Sequence, residues 1–189
     1  DTTSWGNTVN RGDGLDSDAG ITLIYNRKLT KPGRTFTTRF NTGISLGDDN
    51  GMNYSKKNSQ DSVILIDQRS DNTSNNFNFG LRMSYVEPLG TSRKHFLETS
   101  LSFNGNIRNS VRDLFDQDFN GDYTVKNNEY SNEFSNRFFR ESLDLNYRFV
   151  QPAYNLTLGF TAEPSQTYST TIYGDNTGIP IKNEVINLA

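Results

Sequence analysis

The chain has no cysteine, a single histidine, a single tryptophan and only five prolines among its 189 residues. The absent cysteines exclude disulfide staples and thiolate-held metals. No run of about 18–20 apolar residues occurs, so no helix long and apolar enough to cross a membrane is predicted. Apolar residues make up only 32% of the chain and mean hydropathy is −0.73. Neither value excludes a membrane β-barrel, in which only alternate residues face lipid. No segment keeps a 3.6-residue period with caps at both ends, so no helix of any kind is predicted. Nineteen basic residues against 22 acidic give a net charge of −3 with no concentrated basic stripe, so nucleic acid is not an expected partner. The chain opens at Asp1 with neither Met nor a signal-like apolar stretch. It is expected to be a processed protein or a piece of a larger one.

Strict alternation is what the sequence does have. Phe36, Thr38, Phe40, Thr42, Ile44 and Leu46 fall on one side, with Thr37, Arg39, Asn41, Gly43 and Ser45 on the other. Phe77, Phe79, Leu81, Met83 and Tyr85 repeat the pattern against Asn76, Asn78, Gly80, Arg82 and Ser84. A strand sends successive side chains to opposite faces, so each run is a strand with one oily and one wet face. Six strands are predicted, at about 20–30, 35–47, 76–87, 94–106, 137–150 and 154–164. The first is imperfect, with Ile24 and Arg27 on the wrong sides. Aromatics gather near strand ends at Tyr25, Phe36, Tyr85, Phe96, Tyr147, Phe149 and Tyr154, where interfacial girdles belong.

The connections are expected to alternate in length. Short turns fall near 30–35, 88–93 and 150–153. Pro32-Gly33 suits the centre of a type II turn, since proline presets φ and glycine accepts a positive one. Long polar loops are expected at 47–75 and 107–135, with polar loops at 1–19 and 165–189. Val63-Ile64-Leu65-Ile66 is expected as a short extra strand or an extension beyond a membrane edge. Short turns on one side and long loops on the other are the habit of transmembrane barrels. The fold class is therefore all-β, an antiparallel up-and-down meander of about six to eight long strands, forming part of an outer-membrane β-barrel. Strand residues Arg39, Arg82, Glu98, Arg140, Asp144 and Arg148 then line the lumen. The alternative is a soluble or surface-anchored β-sandwich that binds a glycan or a protein.

No catalytic, cofactor or metal site emerges. Asp116 to Asp122 matches the first half of a calcium loop, but Asn127 stands where a bidentate glutamate belongs and no helices flank it. An acidic outer turn is the expected reading. His95 has no partner in sequence for triad chemistry. The carboxylate pairs Asp48–Asp49 and Glu129–Glu133 show no acid–base pattern. Gly12 and Gly14 lead into a strand, unlike a phosphate loop. Arg11-Gly12-Asp13 matches an integrin-binding tripeptide, yet three common loop residues meet by chance, so no such role is assigned.

Lys31-Pro32-Gly33-Arg34-Thr35 before an alternating strand resembles the periplasmic turn of outer-membrane β-barrels of the TonB-dependent receptor type from Bacteroidetes-like bacteria. Phe119-Asn120-Gly121-Asp122-Tyr123 and Glu129-Tyr130-Ser131-Asn132-Glu133-Phe134 are similar to family stretches. Leu145-Asn146-Tyr147-Arg148-Phe149 followed by Tyr154-Asn155-Leu156-Thr157-Leu158-Gly159-Phe160 resembles a family strand–turn–strand. The resemblance spans roughly residues 20–189. It implies a Gram-negative outer-membrane location, contact with lipid, uptake of a nutrient with energy from TonB, a surface lipoprotein as partner, and no covalent chemistry. No plug domain or TonB box is present. With six clear strands where bacterial barrels have at least eight, the chain is expected to be part of a barrel. Its open edges are expected to make an isolated piece self-associate.

Overall fold

A computed structural model describes residues 5–59, 62–92, 94–173, 176–177 and 180–188. One antiparallel sheet holds nine strands among them: β1 (Trp5–Lys28), β2 (Thr35–Ser59), β3 (Ser62–Leu89), β4 (His95–Asp116), β5 (Val125–Lys126), β6 (Asn132–Val150), β7 (Asn155–Tyr173), β8 (Asn176–Thr177) and β9 (Ile181–Leu188). The six long strands pair in chain order, β1-β2-β3-β4-β6-β7. β9 returns along β7, and the two-residue β5 and β8 are short pairings on β4 and β7. The fold is the up-and-down meander that the alternation predicts. β1 and β9 form the two open edges and do not meet.

The three connections expected to be short, β1–β2, β3–β4 and β6–β7, lie at one end. The Lys31–Arg34 turn closes with the Arg34 N–H donating to the Lys31 carbonyl at 2.9 Å, and Gly33 takes φ +87° at its third position. A Cβ there would stand 3.1 Å from Pro88 Cγ. Glycine therefore serves both the dihedral and the packing. Glu87 ties the neighbouring turn to this one, since its carboxylate accepts from Arg34 Nε at 2.6 Å, Lys31 Nζ at 2.9 Å and the Tyr85 hydroxyl at 2.8 Å.

The far end departs from expectation. Residues 47–59 and 62–75 are not a loop but a hairpin, in register from Gly47↔Ser74 to Ser59↔Ser62. Likewise 107–116 and 132–135 are strand, and only 117–131, with β5 inside it, is the true connection. Residues 5–19 belong to β1, in register with β2 from Trp5↔Asn58 onward. Residues 165–173 extend β7, and 181–188 are β9. The remainder of the expected terminal loops (1–4, 174–175, 178–179 and 189), residues 60–61 and Arg93 lie outside the described residues. The physical reason is uniform. Hydrophobic alternation marks a strand only where one face meets something oily. Where water bathes both faces the ladder persists on backbone hydrogen bonds, and Ser, Asn and Gly occupy both sides. Val63–Ile66, apolar on both faces, is the start of β3.

No second layer covers the sheet among the described residues. Among the described residues Leu114 is the one buried hydrophobic side chain, and Pro88 the one large side chain that is fully buried. Accessible surface is 13396 Å², against about 9,100 Å² expected for a folded monomer of 21.4 kDa. A sandwich needs two stacked sheets, so this chain by itself does not make one.

Candidate functional site: an apolar belt and a polar wall

Pair register carries one apolar face across every long strand. Leu23 opposes Phe40, which opposes Leu81, then Phe103 on β4. Tyr25, Thr38, Met83, Leu101, Leu143, Ala162 and Leu188 form the next row. These side chains are open to the surroundings: Leu23 is 62% exposed, Leu101 49% and Leu188 67%. Between Leu97 and Ile107 the belt runs about 33 Å along β4.

The belt also drifts from strand to strand. Gly159, midway along the apolar run of β7, connects through Asn146, Glu98, Val86 and Thr35 to Lys28 on β1. The middle of the β1 run is Leu23, five residues away. At about 3.3 Å per residue, across five gaps of about 4.8 Å, a level belt requires strands tilted by about 35°. Outer-membrane barrels tilt their strands by about 35–45°.

Aromatics mark both rims. At the outer rim Phe79 lies 5.8 Å from Phe77 and 5.7 Å from Phe103, and Phe103 stacks on Phe139 at 6.4 Å. At the turn rim His95 stacks on Phe149 at 4.6 Å and its Nδ1 is 2.6 Å from the Tyr147 hydroxyl. The lone histidine is thus part of this aromatic rim. Tyr154 meets Phe149 edge-on at 6.0 Å. Phe96 belongs to the opposite face, where its ring lies 5.1 Å from the Arg148 guanidinium.

The other face is a polar wall. Arg82 Nη2 reaches Asp144 Oδ2 at 3.5 Å, two strands away. It crosses β4 over Ser100 and Ser102, whose hydroxyls bond to Ser84 and Ser142 at 2.9 Å. Small side chains open that path. Arg148 pairs with Glu98 at 2.8 Å and Arg140 with Glu163 at 3.8 Å. Arg39 opposes Arg82 in register. The six charged residues singled out in the sequence therefore share one face, and five of them form ion pairs there.

Two features escaped the sequence reading. Glu141 sits on the apolar face, in a groove of about 430 Å³ lined by Leu81, Met83, Leu101, Phe103 and Leu143. Its place in the register faces Pro164, where the β6–β7 ladder has a gap, because proline has no N–H to give. Glu163 was the unrecognised partner of Arg140. It lay at the end of the last predicted strand, where alternation fades.

The acidic outer turn closes on itself. Asp118 Oδ1 accepts the N–H groups of Asn120 and Asp122 at 2.9 and 3.0 Å, and Oδ2 the Thr124 hydroxyl at 2.9 Å. These bonds, that from Asp122 foremost, hold the Asp118 carboxyl below its usual range. Asp116 accepts from Gln68 and Asn127. The Tyr123 hydroxyl donates to Asp67 Oδ1 at 2.6 Å, a bond that raises the phenol. Among the described residues no three acidic or histidine side chains converge on a metal position. Arg11-Gly12-Asp13 lies within β1 with Arg11 and Asp13 on one face, and not at a loop tip.

No family model matches the chain, and no curated protein sequence does. Among solved structures, the ferric citrate transporter FecA in its unliganded form gives a TM-score of 0.44 at 11% identity, over 84% of this chain and 25% of that one. The siderophore receptor PiuA from Acinetobacter baumannii gives 0.38 at 11% identity, over 82% of this chain and 29% of that one. The chain spans less than a third of the length of either structure.

Proposed function

We propose that this chain is a section of wall from an outer-membrane β-barrel transporter of the TonB-dependent, Bacteroidetes-like type. The observation that carries the reading is the tilted belt: one continuous apolar face, rimmed with aromatics, on a single uncovered sheet. Lipid is the solvent that such a face requires. The polar wall faces the lumen, and its mixed charges suit a channel or a plug. The strands that run on beyond the belt form the extracellular mouth. The function is structural and transport-related, without covalent chemistry. TonB, a surface lipoprotein and a nutrient ligand are partners of the full-length protein in this reading. An isolated copy in plain buffer is expected to self-associate through the belt and its open edges.

Two experiments test it. Folded from urea into phosphatidylcholine vesicles, the chain is expected to float with the lipid and resist carbonate extraction. A monodisperse water-soluble monomer overturns the reading. The open reading frame around the 189 residues is expected to hold a signal peptide, an upstream plug-like domain and further alternating strands.

A further inference from the structure

Just beyond the outer aromatic rim, on the face that carries the belt, lies a groove of about 460 Å³ lined from β4, β6, β7 and β9. Its lower end is apolar, with Phe139 of the rim and Ile107, where the belt ends on β4. Its walls are cationic. Arg137 is the next residue on that face after Phe139, since alternate residues of a strand share a face. The register runs from Ile107 to Arg137, from Arg137 to Tyr168 and from Tyr168 to Lys182. Arg137, Tyr168 and Lys182 therefore stand side by side on three neighbouring strands, and all three line the groove. Toward β1 the same row continues through Phe77, Ile44 and Ala19. It carries no charge there, so the cations are confined to this end of the rim.

Both cations are exposed. Arg137 enters no ion pair among the described residues. The Lys182 ammonium lies 5.6 Å from the centre of the Tyr168 ring and meets Glu184 Oε1 at 2.6 Å. Glu133 and Glu141 share the face but lie four residues, or about 13 Å, to either side of Arg137. Arg137, Lys182 and Glu184 leave one net positive charge in the groove, at the place where the apolar surface ends. A guanidinium presents a planar fork of donors that matches phosphate oxygens. A water-soluble anion would use the cations and leave Ile107 and Phe139 bare. A lipid without charge would cover those two and leave Arg137 without a partner. An amphiphile with a phosphate head satisfies both ends.

We propose that Arg137 and Lys182 hold the phosphate head of an outer-leaflet lipid whose acyl chain passes over Ile107 and Phe139 onto the belt. Arg137 donates to the phosphate oxygens, and Lys182, steadied by the Tyr168 ring, adds charge beside it. The site rests on the membrane reading and adds to it a lipid of stated charge at a stated place on the wall.

The test uses the full chain carrying Ala162→Cys, labelled with a fluorophore in the belt below the groove. It is folded into phosphatidylcholine vesicles that hold a few mole per cent of either brominated phosphatidic acid or brominated phosphatidylcholine. With one net positive charge in the groove, brominated phosphatidic acid is expected to quench as if enriched about fivefold over its counterpart. R137Q/K182Q is expected to abolish the enrichment. Glu184→Gln is expected to raise it about fivefold further, a direction that a merely structural role does not give. Flotation, and quenching in vesicles made wholly of brominated phosphatidylcholine, read the belt alone. A chain that passes both of those tests yet does not distinguish the two brominated lipids overturns the site and leaves the membrane reading standing. A chain that does not float overturns both. Enrichment that survives R137Q/K182Q overturns the assignment to these residues. Displacement by millimolar inorganic phosphate at constant ionic strength overturns the lipid as occupant in favour of free phosphate.

Discussion

Phe79 lies flat across Gly105: the two oppose each other on β3 and β4, and a Cβ on Gly105 would stand 2.4 Å from Phe79 Cζ. The missing side chain makes room for the ring, which then reaches Phe103 and Phe139 at 5.7 and 6.5 Å. Gly105→Val is expected to expel the ring and cost about 1–3 kcal/mol. Urea unfolding in vesicles measures it. An unchanged midpoint would mean that the outer aromatic rim does not depend on this contact.

Asp144 and Arg82 are unequal partners. The Asp144 side chain is 16% exposed and also accepts the Thr161 hydroxyl at 3.0 Å, whereas Arg82 is 55% exposed. Asp144→Ala strands Thr161 and is expected to cost about 1–2 kcal/mol. Arg82→Ala is expected to cost below about 0.5 kcal/mol, because water screens its end of the pair. Equal losses in unfolding experiments would contradict this asymmetry.

Glu141 is the charge that the belt does not need. It stands one row inside the rim residue Phe139, where a carboxylate toward lipid is costly but less so than at mid-membrane. Glu141→Leu is expected to stabilise the chain in vesicles by about 1 kcal/mol. A destabilised variant would show that the carboxylate has a partner in the bilayer.

The outer turn has an acid limit. The folded Asp118 carboxyl titrates below its ordinary value of 3.8, so its contribution to the turn is fully present above about pH 4. It fades as pH falls through the lowered folded value. A carboxyl-carbon NMR titration should place Asp118 below its ordinary value of 3.8, and Asp118→Asn should remove the acid-dependent loosening of 118–124. A titration of Asp118 at 3.8 or above would contradict the hydrogen-bonded turn.

The sequence showed the belt and hid what extends beyond it. Phe36 to Leu46 and Phe77 to Tyr85 were legible because apolar and polar residues alternate there with period two. Gly47–Ser59 pairs just as regularly with Ser62–Ser74, yet both of its faces are wet and no period marks it. The type II turn at Pro32-Gly33 was readable from two residues. The union of Arg82 with Asp144 was not, since it needs the register of three strands at once. The exposed edge at Val63–Ile66 was visible only as an apolar run. That β4 stops short of it is a fact of pairing that no local pattern encodes.

The absence of cysteine permits the most direct test of the belt. Single cysteines placed in turn from Leu97 to Ile107, carrying an environment-sensitive fluorophore, report which solvent each position meets in vesicles. The account predicts quenching by brominated lipid at 97, 99, 101, 103 and 107, and by aqueous iodide at 98, 100, 102, 104 and 106. Protection of both sets from both quenchers, or free access of iodide to both, would contradict a sheet with one face in lipid.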